Sequence, residues 1–229
     1  TINKLFYYAV GTFGSKVIYF LLVPFYSFFL SKSELGFYDI ILASLTIITP
    51  IITIQVSDAV YRELHDPTKQ SLKSAKAFSS GLSVIFFGLL IFVFIAFIFN
   101  NLFANKIFYE LVLVQSSFTL YIFFQQSLRG LSLNKEYALM GTMNAFLIIL
   151  FSIILIYFST IELRNIVLAI ACAQFISILF AIYKINFFKL FEIKNISKAK
   201  VYELINYSLP LLPNTLSWWL IDLGSRYII

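Results

Sequence analysis

The sequence predicts an all-α polytopic membrane protein, and three observations carry that expectation. Hydrophobic residues make up 60% of the 229-residue chain and charged residues 12%, whereas a soluble domain is about half apolar and about a quarter charged. The mean hydropathy is +0.90. The apolar runs, such as VIFFGLLIFVFIAFIF from Val84 to Phe99, are continuous. A membrane β-barrel would instead alternate at every second residue.

A bilayer core about 30 Å thick needs about 20 mostly apolar residues per spanning helix. Six complete spans are read on this basis: Leu5–Leu30, Phe37–Ser57, Phe78–Phe99, Ile107–Leu128, Tyr137–Phe158 and Asn165–Tyr183. A seventh begins near Tyr207. The first apolar segment is too long for a cleavable signal peptide and carries Lys16 in its interior.

The basic residues test this count. Hydrophilic segments on one side hold Lys4, Arg62, Lys69, Lys73, Lys76, Arg129, Lys135, Lys184, Lys189, Lys194, Lys198 and Lys200, and the alternate loops hold only Lys32, Lys106 and Arg164. Cytoplasmic loops collect Lys and Arg, so the N-terminus is expected in the cytoplasm. Topology thus accounts for the net charge of +6 without a nucleic-acid partner. The stretch INFFKLFEIKNISKAKVYELI, Ile185 to Ile205, mixes large apolar residues with lysines. It is expected to be an amphipathic helix on the membrane surface, its lysines near lipid headgroups.

Ionisable groups inside a membrane are costly and mark functional positions or internal partners. In the first span Thr12, Lys16 and Tyr19 fall on one helical face, which points to a cation in a polar cavity. The second span carries Asp39 near its outer end, Asp58 near its inner end, and Pro50, which frees a backbone carbonyl. Gln115 and Thr119 share a face of the fourth span, where amides and hydroxyls also serve as helix–helix glue. Asp222 and Arg226 stand one turn apart in the seventh, so either they pair or the arginine is offered to a substrate. Pro210 and Pro213 open that span, where proline is best tolerated.

No Ser-His-Asp order, metal cluster or phosphate-binding glycine loop is present in the sequence. The single cysteine, Cys172, allows no intrachain disulfide, and the single histidine, His65, has no metal-ligand neighbour. A transporter is favoured over an enzyme, and no cofactor, catalytic residue or metal is expected.

Four stretches then resemble one family. LSKSELGFYDI (Leu30 to Ile40), SDAVYRE (Ser57 to Glu63), QQSLRGLSLNKEYAL (Gln125 to Leu139) and SLPLLPNTLSWWLIDLGSRYII (Ser208 to Ile229) are similar, in this order, to the Wzx-type polysaccharide flippases. These belong to the multidrug/oligosaccharidyl-lipid/polysaccharide exporter superfamily. The resemblance implies two six-helix lobes joined by a cytoplasmic linker and a cavity that opens alternately to each side. It also implies transport of undecaprenyl-pyrophosphate-linked repeat units, for O-antigen or capsule, across a bacterial cytoplasmic membrane. On this reading residues 1–184 form the first lobe, 185–206 the linker and 207–229 the start of the second lobe. The chain is then expected to be a piece of a longer protein.

The resemblance implies that Lys16 and Arg226, with Tyr19, Thr12, Gln115 and Thr119, line the substrate cavity. Asp39 and Asp222 become ion-coupling candidates, with H⁺ or Na⁺ as the driving ion. Implied partners are the lipid-linked oligosaccharide, membrane lipids and polysaccharide polymerase or assembly proteins. Three alternatives stay open: a drug or small-molecule antiporter of the same superfamily, a membrane glycosyltransferase or polymerase, and a non-transporting scaffold.

Overall fold

The computed structural model describes residues 16–18, 20–66, 71–103, 107–158 and 162–222. Thr12, Tyr19 and Arg226 lie outside the described residues, and Asp222 is described by its backbone alone. The described residues are helical and contain no strand. Helix α1 spans Lys16–Phe29. It is followed by α2 (Lys32–Thr53), α3 (Val56–His65), α4 (Ser71–Phe103), α5 (Phe108–Gly130), α6 (Asn134–Phe158) and α7 (Leu163–Lys184). Two short elements, α8 (Phe187–Leu190) and a 3₁₀ turn at Ile193–Asn195, lead to α9 (Lys198–Ser208) and α10 (Leu211–Asp222).

Among the described residues α2, α4, α5, α6 and α7 are long and apolar enough to cross a membrane. Their outward faces suit lipid. On α4, Phe86, Phe87, Leu90, Phe94 and Phe97 are all exposed, a continuous apolar surface of a kind that soluble monomers rarely present. The chain is therefore an all-α multi-pass membrane protein, as composition predicts.

Helix α2 begins at Lys32 rather than Phe37 because a capping box anchors it. The Ser31 hydroxyl accepts from the Glu34 backbone N–H, and the Glu34 carboxylate accepts from the Ser31 N–H at 3.0 Å. Two otherwise orphaned donors are thereby satisfied. At its other end the second span departs from expectation. It breaks at Ile54 and Gln55, both left-handed (φ 49° and 55°), and resumes as α3.

The bundle packs through small residues and short polar bridges. Gly88 of α4 lies against α2 so closely that a Cβ would stand 2.2 Å from the Ile52 carbonyl oxygen. A Cβ on Gly81 would stand 2.2 Å from Val60 of α3, and one on Gly130 2.8 Å from Leu64. Close backbone approach of this kind drives helix association where lipid removes the hydrophobic incentive. Polar side chains bridge the remaining helices. Ser117 of α5 donates to Gln174 of α7 at 2.6 Å, Ser177 donates to Asn144 of α6 at 3.3 Å, and the Tyr26 hydroxyl meets Ser152 at 2.8 Å.

The segment after α7 is divided rather than one continuous surface helix. Asn186 is left-handed (φ 53°), α8 is a single turn, and Glu192 and Ile196 are extended. The reason is docking. Phe187 reaches an aromatic cluster with Phe78 of α4 and Phe124 of α5, at ring separations of 6.0 and 6.2 Å. The loop backbone is satisfied from α4: the Glu192 and Ser197 N–H groups donate to Ser79 and Ser80, each at 3.2 Å. Leu204 of α9 is 1% exposed.

Lys200 of α9 pairs with Glu63, a buried carboxylate on α3, and with Glu203 at 2.9 Å. Burial alone would lower the Lys200 pKa. The hydrogen bonds and charges of the two glutamates outweigh it and raise the pKa above its ordinary value. A raised lysine pKa stabilises the fold fully below the unfolded value, about 10.4. That contribution disappears as pH rises through the folded value.

Three stability outcomes follow, all read by thermal unfolding of the purified protein in detergent. Gly88→Ala costs about 1–3 kcal/mol, as overpacking does. Gly36→Ala, which meets nothing within 4 Å, is neutral or stabilising by up to about 1 kcal/mol. Lys200→Met removes the ion pair between α9 and α3 and is expected to lower stability, and Glu203→Gln, on the exposed partner, to lower it less.

Candidate functional site: a basic mouth and an inner polar cavity

Helix α3 is short and strongly two-faced. Val56, Ala59, Val60 and Leu64 are buried, while Asp58, Tyr61, Arg62 and His65 follow the i, i+3, i+4, i+7 spacing of the opposite face. With Asp66 just beyond α3, Arg129 from the end of α5 and Tyr207, Asn214 and Thr215 from α9 and α10, that face lines a pocket of about 660 Å³ in which two carboxylates accompany the two guanidiniums. Arg62 rests on the Tyr207 ring at 4.3 Å and Arg129 on the Tyr61 ring at 4.7 Å. Tyr61 in turn stacks on His65 at 5.7 Å.

Each guanidinium is thus held over an aromatic face, an interaction worth about 0.5–2 kcal/mol depending on solvation. Neither has a carboxylate partner among the described residues. The hydrogen-bonding edges of both groups remain available to an anion.

The helix break organises the pocket floor. The Gln55 amide donates to Asp58 at 2.8 Å, and its carbonyl accepts from the Thr215 hydroxyl at 2.8 Å. This relay ties α10 to the start of α3. Trp219 adds a second tie, donating to the Ala43 carbonyl of α2 at 3.0 Å. Beyond the relay lies a smaller cavity of about 190 Å³, bounded by α2, α3, α5 and α10. It shares Gln55, Asp58 and Thr215 with the mouth and continues inward past Thr53, Ser57, Gln126 and Phe118.

Of the residues expected to line a cavity, Gln115 and Thr119 are brought together. Gln115 donates to Thr49 at 2.9 Å, and Thr119 returns its hydroxyl to the Gln115 carbonyl at 2.9 Å. Both are buried (3% and 0% exposed) and line neither of these two cavities. Thr49 links them to the inner cavity wall. Lys16 opens the described part of α1 with its side chain exposed, and Asp39 is half-buried in the second turn of α2; neither lines these cavities. No group of three or more metal-ligating acids, histidines or cysteines occurs among the described residues.

In the sequence Arg62 and Arg129 count among the basic residues of one side, and Asp58 stands near the inner end of the second span. The missed signal is the two-faced spacing of SDAVYRELH following Pro50. An apolar run ends there and a short amphipathic helix begins.

Fold and site together define an all-α multi-pass membrane protein whose helices enclose a polar pocket at one end. The family of polysaccharide biosynthesis proteins matches residues 2–229, and the chain belongs to that family. It is the family of Wzx-type polysaccharide and lipid-linked flippases, whose members are transporters rather than enzymes. Nothing among curated proteins or solved structures matches the chain.

The buried Gln115 network predicts a modest structural role. Gln115→Leu is expected to lower stability by about 1 kcal/mol or less, the usual worth of an interhelical hydrogen bond in a membrane protein. Thermal unfolding in detergent measures it.

Proposed function

We propose that the protein moves undecaprenyl-pyrophosphate-linked oligosaccharide repeat units across a bacterial cytoplasmic membrane, for O-antigen or capsule assembly. In this reading residues 1–184 form one lobe of a two-lobed alternating-access transporter. Residues 185–206 form the cytoplasmic linker and 207–229 the start of the second lobe. The end bearing Arg62, Arg129, Lys184 and the lysines of 189–200 faces the cytoplasm, because that side collects the positive charge.

The observation that carries the reading is the pair Arg62 and Arg129, facing one pocket and lacking a carboxylate partner among the described residues. A pyrophosphate bridge presents several charged oxygens, and guanidinium forks bind such oxygens through strong, directional hydrogen bonds. Tyr207 and Tyr61 keep the two forks in place. The isoprenoid tail stays in the bilayer, and only the polar headgroup enters the mouth. Lys16 and Arg226 remain candidates for passing the anion onward as access alternates, and polysaccharide polymerase or assembly proteins are the expected consumers of the flipped product.

Farnesyl pyrophosphate titrated into the full-length protein in nanodiscs tests the reading, alongside surface polysaccharide in cells. Hydrogen bonds to a charged group are worth about 1.5–3 kcal/mol, so each of Arg62→Ala and Arg129→Ala should weaken binding by about 10- to 100-fold. The double variant should abolish export while still inserting in the membrane. Unchanged binding and unchanged export in the double variant would refute the assignment.

A further inference from the structure

The inner cavity behind the mouth holds two buried polar atoms without a hydrogen-bond partner among the described residues, the Ser57 hydroxyl and the Gln126 side-chain carbonyl. Ser57 is 6% exposed. Buried polar atoms are almost always paired, and this pair faces a shared space instead of neighbouring helices. The Asp58 carboxylate and the Thr215 hydroxyl border the same space, and Phe118 closes part of it with an aromatic surface. Hydroxyl, amide and carboxylate are the groups that exchange hydrogen bonds with a polyol, and an aromatic ring suits the apolar face of a sugar.

We infer that this cavity is a sugar subsite: it receives the ring attached to the pyrophosphate and reads its hydroxyls through Ser57 and Gln126. The inference rests on the function proposed above, which places the anion at the mouth. Two features favour a neutral polyol over a cation. Among the described residues Asp58 is the only carboxylate lining the cavity, and it already accepts from Gln55 at 2.8 Å. The volume, about 190 Å³, suits a single ring and excludes an oligosaccharide, so the remaining sugars must extend elsewhere.

The test compares farnesyl pyrophosphate with farnesyl pyrophosphate bearing glucose, galactose or N-acetylglucosamine, each titrated into the full-length protein in nanodiscs. At least one sugar-bearing probe should bind about tenfold more tightly than the bare one, as expected for one or two added hydrogen bonds. Ser57→Ala with Gln126→Met should erase that gain while leaving farnesyl pyrophosphate binding unchanged. Ser57→Ala alone, which removes an unpartnered hydroxyl and is not expected to disturb folding, should erase part of it. The inference is overturned if no sugar-bearing probe outbinds the bare one, or if the gain survives the double variant. It is equally overturned if the effect of Ser57→Ala appears only in sodium chloride and not in choline chloride, because the cavity would then hold a cation. Loss of bare-probe dependence on Arg62 and Arg129 would instead defeat the anion assignment, so the two failures are distinguishable.

Discussion

Between α2 and α3 two consecutive residues, neither of them glycine, take left-handed backbone. Ile54 is β-branched, and this conformation costs a non-glycine residue about 1–2 kcal/mol. The turn must also satisfy its own backbone polar groups. It does so with an Ile54 N–H to Ile51 carbonyl contact at 3.5 Å and a Gln55 N–H to Pro50 carbonyl bond at 3.1 Å. The packing around it is dense: Val56 and Val60 are fully buried, and Gly88 admits the Ile52 carbonyl at close range. Strain held by tight surroundings at one point is the pattern expected of a functional position.

The rest of the site follows from that break. A straight continuation of α2 would carry Asp58, Tyr61 and Arg62 along its own axis. The break re-aims them so that they share one pocket wall with Arg129 and Tyr207. It also exposes Gln55, whose side chain joins Asp58 to Thr215 and so couples α10 to the first bundle. Discontinuous helices with irregular backbone at a polar cavity are a recurrent transporter device, and here the irregularity separates a basic mouth from a hydroxyl- and amide-lined interior.

Much of the fold was legible in the sequence because length and apolarity alone define a membrane helix. Apolar runs and the alternation of basic loops located α5 to α7 close to their observed limits, whereas α4 extends from Ser71 to Phe103, beyond the expected Phe78–Phe99 at both ends. What was not legible depended on tertiary contact. Pro50 signalled a disturbance, but nothing local distinguishes a kink from the full break at Ile54, because no glycine marks it. The segment after α7 read as amphipathic from its lysines, yet Leu204 is a core residue, the half-buried Phe187 packs against the core, and Lys200 is paired with a buried glutamate. At the site, mid-span charge drew attention to Lys16, while the pocket was built from Arg62 and Arg129, which topology had already explained. A residue that satisfies one rule can serve a second purpose that only the packing reveals.

The central claim is that the mouth beside the break holds the anionic part of a lipid-linked cargo. Its most direct test is chemical protection of a thiol placed in the pocket. Asn214 is exposed and lines the mouth. Asn214→Cys is made in a Cys172→Ser background, because the native thiol is also exposed. Labelling by a charged, membrane-impermeant maleimide is followed with and without farnesyl pyrophosphate, using Ser33→Cys as an exposed control. The account predicts that the ligand slows labelling at position 214 several-fold and leaves position 33 unaffected. Equal rates at position 214 with and without saturating ligand would contradict it.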